Sequence, residues 1–349
     1  MSLTNKNKDF LTLKQQVDRL SFKYHLLIKD EAKAKEYLLY RNYFDLINGL
    51  EDLFLSQNTK KNSKDFSGYS LENFVTFYDI NVDFRTFSLK IIAEYETKLR
   101  SLIAYYFNES LYRQANTPYD VLAYIDGSNF ICPNQVTDPD LYEIKNNFDL
   151  FKNKQNVPRS YNHLVDPTSP LSIRLYKNVY MANKMDKRNL FHDFDIPPFW
   201  VAIKEFDFGD LIKFISLCKN GIVKEVKSAM GFSDFTRQEF IAALFAIKNL
   251  RNHMAHAQML NRFHNSPKYN FETNIKIVGD VRENGDSISV FEIFTIISKA
   301  VKIDPLSNPL RQINKLISSE KKLEIIAIEF LRTMGNEKIN EWFDLLSTE

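Results

Sequence analysis

The sequence predicts an all-α protein, a helical bundle with room for one small β-hairpin. Only 9 Gly and 11 Pro interrupt the 349 residues, so long uninterrupted elements are expected. Residues 71–107 contain neither glycine nor proline, and their apolar positions recur at steps of three and four, as on one face of a helix, which predicts one long helix or two in tandem. These positions are Phe84, Phe87, Ile91, Tyr95, Leu99, Leu102 and Tyr106.

Start and stop signals order the remaining helices. Apolar spacing marks a short first helix near Leu13, Asp30 is a suitable N-cap for a second helix over residues 31–39, and a third is expected over residues 43–55. Further along, a helix over residues 210–219 is expected to end at Gly221. Ser233 or Asp234 is then expected to cap the helix that follows.

The only predicted strands lie near the C-terminus. Residues 274–278 and 287–291 alternate in polarity, and Asn284-Gly285 between them is a turn signal. Helices are expected to resume from about residue 292. The sequence therefore predicts a helical domain over residues 1–265 and a C-terminal extension over residues 266–349 that begins with the hairpin and packs on the domain.

Composition excludes some classes of protein but does not identify the function. The net charge of +2 permits a local nucleic-acid contact but does not require one. The N-terminus lacks the apolar core of a signal peptide, and no apolar run reaches the ~20 residues that a membrane span needs. Two cysteines form no metal-binding spacing and suit a reducing compartment. The heavy use of Lys, Asn, Ile and Phe is typical of AT-rich coding sequences and indicates a bacterial source. We expect a cytoplasmic protein with no membrane contact.

The stretch IKNLRNHMAHAQMLNR, residues 247–262, concentrates the polar side chains that could carry chemistry. Residues four apart share a helix face, so the amide of Asn252 is expected to orient the ring of His256. Arg251 precedes both, and a guanidinium beside an imidazole suits a phosphate, which one group holds while the other moves protons. The hypothesis is a phosphate-handling site at this helix, with Leu244, Ile247 and Leu250 turned toward the core.

Two blander interpretations of the same stretch stay open. His253 and His256 lie three apart, a spacing that could hold a metal, but no cysteine or carboxylate ligand lies nearby, so neither a metal nor a cofactor is expected. Alternatively, the histidines are hydrogen-bonded polar residues at a helix–helix contact. The spacing Arg-x4-His arises often by chance and does not exclude that alternative.

Four segments in order raise the specificity of the motif. They cover residues 11–54, 77–107, 196–214 and 247–262. The characteristic positions are Arg85, Glu96 and Arg100 in the second segment, Pro198, Trp200, Phe208 and Gly209 in the third, and Arg251, His256, Asn261 and Arg262 in the last. Together the segments resemble the Abi-like family of AbiD and AbiF abortive-infection proteins. Asn81 departs from the family pattern, since an aspartate is usual there.

The resemblance implies a HEPN-type helical bundle and a metal-independent endoribonuclease that acts as an anti-phage toxin. Its motif falls on Arg251, Asn252 and His256 as catalytic residues. His253, Asn261, Arg262, Arg85, Glu96 and Arg100 are then the candidate binding residues. It further implies an RNA substrate, a homodimer, and a structured noncoding RNA as a candidate antitoxin.

Two functions without catalysis compete with the nuclease. A helical module could bind RNA or a phage component without cutting it, using Arg251 and His256 as contact residues. An inert helical scaffold would instead bury these side chains with their hydrogen bonds satisfied. RNA products ending in a 2′,3′-cyclic phosphate would belong to the nuclease alone.

Overall fold

Helices make up the regular structure of this chain. The computed structural model describes residues 10–55, 64–114, 124, 129, 199–264 and 288–346. Over these ranges extended pairing is limited to isolated bridges, such as that between Leu27 and Ser70. The all-α prediction is confirmed for the described residues. None of their helices combines the length and the apolar character that crossing a membrane requires.

The N-terminal segment alternates short α-helices with π-helical turns. It contains α1 (Leu13–Asp18), a π-helix (Arg19–Lys23), α2 (Glu31–Tyr40), a second π-helix (Phe44–Asn48) and α3 (Glu51–Leu55). Asp30 caps α2 as predicted, because its carboxylate accepts hydrogen bonds from the backbone of Ala32 and Lys33. Residues 43–55 are helical but not one helix, since Gly49 N–H donates to Phe44 O at 2.7 Å, in the wider π-helical pattern.

The long helix α4 (Leu71–Gln114) is the spine of the fold. Its 44 residues run without a break, as the absence of glycine and proline predicts, and span about 66 Å at 1.5 Å per residue. The predicted apolar stripe faces the core: Phe84, Ile91, Tyr95 and Leu99 are fully buried, while Phe87, Leu102 and Tyr106 are partly buried.

The next helices lead to the motif. They are α5 (Phe199–Ala202) with a 3₁₀ turn (Ile203–Glu205), α6 (Phe208–Leu217), α7 (Asn220–Ala229) and α8 (Arg237–Ala255). The bounds predicted for α6 are wrong. Asp207 caps it one turn earlier, and Cys218 leaves the helix in an extended conformation (φ −64°, ψ 151°). Gly221 therefore does not end α6 but lies in the first turn of α7.

The N-terminus of α8 is capped by Thr236, so the prediction of Ser233 or Asp234 is wrong. Thr236 Oγ1 accepts a hydrogen bond from Glu239 N–H at 3.2 Å, and Thr236 N–H donates to Glu239 Oε2 at 2.7 Å. Threonine followed three positions later by glutamate forms this reciprocal capping box, which outweighs the two earlier candidates.

The C-terminal part is helical, and the strand predicted over residues 287–291 is wrong. It contains α9 (Val290–Ser298), a 3₁₀ turn (Asp304–Leu306), α10 (Ser307–Ile317), α11 (Lys321–Thr333) and α12 (Ile339–Leu346). Ser289 and Glu292 form a capping box that starts α9, so helix capping overrides the alternating pattern. Residues 274–278 and Asn284-Gly285, the other half of the predicted hairpin, lie outside the described residues.

Aromatic contacts fix the C-terminal helices against α4. The ring of Phe84 lies 5.7 Å from Trp342 of α12 and 6.4 Å from Phe294 of α9. Phe77 lies 6.1 Å from Phe330 of α11. Each centroid distance is within the range of favourable aromatic pairs. The C-terminal helices therefore pack on α4, while the division into a domain over residues 1–265 and an extension over residues 266–349 stays a prediction.

Candidate functional site

Helix α8 carries the motif on its last turn and turns its apolar side to the core. Leu244, Ile247 and Leu250 are fully buried, as the spacing predicts. Arg251 and Asn252 follow on the partly exposed side of the same helix. The periodicity of α8 therefore delivers the polar motif to the surface while the preceding turns hold the helix in the bundle.

His256 stands one residue past the end of α8, as its C-cap. Its side chain is exposed, and its ring has no hydrogen bond or ion pair with any residue that the structure describes. Its backbone N–H donates to Asn252 O at 3.0 Å, which continues the helical pattern. The imidazole is thus held on a regular backbone and is open to a ligand.

The chain leaves α8 through a Schellman turn, the two-bond closure of a helix C-terminus. Ala257 N–H donates to Met254 O at 3.0 Å, and Gln258 N–H donates to His253 O at 3.2 Å. Ala257 has φ of 58°, the left-handed conformation in which glycine is usual. A side chain in this conformation costs about 1 kcal/mol, so the turn that presents His256 is strained.

Replacing Ala257 by glycine should therefore stabilise the protein by about 1 kcal/mol, because glycine adopts this conformation without the clash of a Cβ. Ala255→Gly is the matched control, since Ala255 is an exposed residue in the last turn of α8 with helical geometry. There glycine should cost up to about 1 kcal/mol. Urea unfolding of both variants checks the sign, and equal destabilisation by the two substitutions would contradict a strained Ala257.

The side chain of Arg251 is held by two neighbours. Its Nε lies 3.5 Å from Oε1 of Glu96 on α4, and its Nη1 donates to Asn252 Oδ1 at 3.3 Å. The amide of Asn252 thus contacts the arginine, whereas the sequence interpretation placed it against the ring of His256. The cause is local: at the last turn of a helix the side chain of Arg251 folds back over its own neighbour. Asn252 orients the guanidinium instead.

Glu96 lies among three further charged groups. Arg100, one turn along α4, donates from Nη2 to Phe206 O at 3.2 Å. Burial raises the pKa of the Glu96 carboxyl above its ordinary value, the cations Arg251 and Arg100 oppose that shift, and the nearby carboxylate of Asp207 adds to it. The structure thus brings together Glu96, Arg100 and Arg251 from the predicted set.

Gly209 leaves room for two charged side chains at the start of α6. A Cβ built on Gly209 would lie 3.0 Å from Oδ1 of Asp207 and 3.1 Å from Nζ of Lys248. Both distances are tighter than ordinary van der Waals contact. A larger residue after Phe208 would therefore require the side chains of Asp207 and Lys248 to shift.

His253 fastens the loop that follows α8. Its Nε2 donates to Met259 O at 2.8 Å, and its ring meets Phe263 edge-on at 5.3 Å. Since a carbonyl oxygen can only accept, the proton is on Nε2. Burial lowers the pKa of His253, which favours this neutral form. The ring therefore shapes the loop, and its Nε2 is not open to a metal.

Asn81 holds the same loop from α4. This fully buried amide accepts from Leu260 N–H at 2.8 Å through Oδ1, and its Nδ2 donates to Met259 Sδ at 3.3 Å. An ionised aspartate, the usual family residue here, could accept from Leu260 but could not donate to sulfur. Asparagine thus serves this chain as a neutral buried anchor.

Asn261 and Arg262 anchor the loop to the N-terminal segment. Asn261 Nδ2 donates to Gly49 O at 2.9 Å. Arg262 donates to Asn48 O and, at 3.1 Å, to Asp52 Oδ2. Both residues were candidate RNA contacts, but in this structure their polar atoms fix the loop after His256.

Two residues of this site were not singled out from the sequence, Gly49 and Asp207. A Cβ on Gly49 would lie 2.8 Å from Cγ of Met259, so glycine permits the loop to pack on the π-helical turn. A glycine inside an otherwise helical stretch is the signal that could have revealed this close approach. Asp207 had no such signal, because its proximity to Glu96 depends on the tertiary fold.

Arg85 is a candidate binding residue whose guanidinium is unpaired within the described part of the chain. It lies on α4 one turn beyond Asn81 and is partly exposed. No described residue forms a hydrogen bond or ion pair with its guanidinium. Arg85 can therefore contact a phosphate without first breaking another interaction.

A metal site at the two histidines finds no support among the described residues. No group of three histidine, cysteine, aspartate or glutamate side chains there is arranged to hold an ion. The described residues instead offer two groups suited to a phosphate, the guanidinium of Arg251 held by Glu96 and the exposed imidazole of His256 five residues further along the chain.

Comparison with known proteins supports the resemblance to the Abi-like family. The sequence pattern of the family described as Abi-like protein matches residues 36–261, which is more than half of the chain. A search of the curated proteins and a search of the solved structures each found no match. The matched range includes the whole charged cluster and the motif at the end of α8. The chain belongs to the Abi-like protein family.

Proposed function

We propose that this Abi-like protein is a metal-independent endoribonuclease of the HEPN type that acts as an abortive-infection toxin. Family membership indicates a role in abortive infection. The observation that carries the catalytic proposal is the end of α8, where the exposed, unpaired ring of His256 follows a partly exposed Arg251. Asn252 is the third residue of this proposed active site.

The proposed reaction uses the nucleophile of the RNA itself. The 2′-OH attacks the adjacent phosphorus, the bond to the 5′ oxygen of the next nucleotide breaks, and the products end in a 2′,3′-cyclic phosphate and a 5′-OH. Imidazole titrates near neutral pH and can take or give the proton. Arg251 would stabilise the charge that develops on the phosphoryl oxygens, an effect typically worth about 3 kcal/mol of barrier.

A homodimer follows from the same chemistry. One histidine does not readily act as base and acid in a single step. Two copies of α8 related by a twofold axis would supply two imidazoles and two guanidinium groups. We therefore propose that the active form is a homodimer, and that a structured noncoding RNA is a candidate for its restraint.

End-group analysis of RNA cut by the purified protein tests the proposal. A 2′,3′-cyclic phosphate with a 5′-OH is expected. Products with a 5′-phosphate would indicate attack by water and reject this mechanism. RNA that is bound but never cut would favour the alternative, a non-catalytic RNA-binding module. Binding to a phage component alone would favour the same module with a different ligand.

EDTA should leave RNA cleavage unchanged within about twofold, because neither the nucleophile nor the proton transfer needs an ion. The measurement is the initial rate on a short single-stranded RNA, which limits effects of metals on RNA folding. Added Mg²⁺ is the control for ionic strength. Activity lost with EDTA and restored by one transition metal would contradict the proposed chemistry and revive a metal role for His256.

A further inference from the structure

Glu96 occupies a protected position opposite the motif. Its side chain is only 15% exposed, and its Oε1 lies 3.5 Å from Nε of Arg251, whose side chain is 42% exposed. The other contact of the guanidinium is from Nη1 to Asn252 Oδ1. Within the described residues Nη2 has no hydrogen-bond partner. The protein therefore holds the Nε side of the group and leaves Nη2 open.

Holding the guanidinium of Arg251 in one orientation favours the binding of a phosphate. An arginine side chain has many rotamers, and an unrestrained side chain loses this conformational entropy when it binds a ligand. A guanidinium held beforehand in one orientation loses less of it and presents its nitrogen atoms in a fixed direction. Glu96 lies on α4 and Arg251 on α8, so two packed helices set this orientation.

The charges around Glu96 determine whether its carboxyl is ionised, and only the ionised form attracts Arg251. The charged groups that face its carboxyl are Arg251 from α8, Arg100 from its own helix and Asp207 from the segment before α6. Arg100 is itself fixed by its bond to Phe206 O. The cations favour the ionised form of Glu96, whereas burial and Asp207 disfavour it. Protonation of Glu96 would remove the charge that holds Arg251.

We propose that Glu96 is a positioning residue whose ionised carboxylate fixes the guanidinium of Arg251 in the direction in which it meets a phosphate of bound RNA. Glu96 acts through Arg251 and does not itself touch the RNA. This inference rests on the proposed ribonuclease function and adds the residue that prepares the site before substrate arrives.

The test compares Glu96→Gln with Glu94→Gln in the full-length protein. Glutamine keeps the size of the side chain and removes its charge, and Glu94 is an exposed glutamate on the same helix with no polar contact among the described residues. We expect Glu96→Gln to lower kcat about 10- to 100-fold, the size of effect that small misplacement of a reacting group produces. KM should change less than threefold, and Glu94→Gln should match the wild type.

The pH profile provides a readout that a purely structural role would not move. In the wild type, kcat should fall as the pH drops through the raised pKa of Glu96, because the protonated carboxyl no longer holds Arg251. Protonation of the catalytic imidazole lowers kcat at acidic pH in every variant, so the contribution of Glu96 is the additional ionisation in the acidic limb. Glu96→Gln should lack this additional ionisation, whereas Glu96→Asp, which keeps the charge on a shorter side chain, should retain it. Thermal melting of each variant establishes that the folds are intact. If the glutamine variant fails to fold, loss of the additional ionisation in a folded Glu96→Asp protein overturns the proposal.

An NMR measurement separates this inference from the nuclease proposal. The ¹⁵N relaxation of Arg251 Nε, whose signal is identified by its loss in Arg251→Lys, should report an ordered side chain, and that order should be lost in Glu96→Gln. Wild-type protein that cuts no RNA but shows this change would reject the nuclease and support the positioning. Unchanged relaxation, an unchanged rate and pH profile, or a faster Glu96→Gln enzyme would each overturn the role of Glu96.

Discussion

Replacing His256 by alanine is expected to abolish RNA cleavage and toxicity in cells while the protein stays folded. A proton-transfer group is typically worth about 10²- to 10⁴-fold in rate. The ring of His256 is exposed and has no polar contact among the described residues, so its loss should change the free energy of unfolding by no more than about 0.5 kcal/mol. Cleavage, toxicity and thermal melting are measured on the same preparations.

His264→Ala is the matched control, because His264 is another exposed histidine a few residues further along the same loop. It should retain the activity of the wild type.

Arg251→Ala should lose activity as His256→Ala does, and Arg251→Lys should recover little, since an ammonium lacks the planar fork for two phosphate oxygens. RNA binding should survive in His256→Ala, because affinity rests on dispersed phosphate contacts. An active His256→Ala protein would refute the nuclease, and a misfolded one would favour a structural histidine.

Local signals predicted most of the helices because their causes are local. The 44-residue run of α4 follows from apolar spacing without glycine or proline, and Asp30 caps α2 through its immediate neighbours. The errors also have local causes. At residues 287–291 the alternating pattern pointed to a strand, but Ser289 and Glu292 form a capping box that starts a helix. Alternating polarity favoured a strand and the capping box favoured a helix. The helix forms because the capping box supplies hydrogen bonds to its first turn.

The candidate site was predictable only in its position on the chain. Spacing placed Leu244, Ile247 and Leu250 in the core and the motif at the surface, and the structure agrees. The loop contacts were not predictable, because Asn261 reaches the carbonyl of Gly49 across more than 200 residues of sequence. Periodicity describes one helix at a time and carries no information about such pairs.

A substitution of Arg237, at the N-terminal end of α8, should have the largest effect on the free energy of unfolding. Arg237, the first residue of the helix, is only 8% exposed and donates from Nη2 to Ser216 O at 2.9 Å and to Cys218 O at 2.8 Å. Its Nη1 donates to Asn220 Oδ1 at 2.6 Å. One side chain thus joins the C-terminus of α6, the start of α7 and the start of α8.

Arg237→Met should lower the free energy of unfolding by about 3 kcal/mol. Methionine fills much of the space but leaves two buried carbonyl oxygens without donors, each of which costs about 1–3 kcal/mol. Loss of a cation at the C-terminus of α6 adds a smaller amount. Removing the buried guanidinium also removes its desolvation cost, which offsets part of this loss of stability. The measurement is urea unfolding at neutral pH.

Arg311→Met is the control, because Arg311 is an exposed arginine on α10 without a polar contact in the described part of the chain. It should change stability by no more than about 0.5 kcal/mol. Below its lower melting temperature, Arg237→Met should still cleave RNA, since Arg237 and His256 lie at opposite ends of a 19-residue helix. Equal stability of the two methionine variants would mean that water replaces the guanidinium at these carbonyls. Full stability with lost cleavage would instead place Arg237 in the active site, against the arrangement derived from α8.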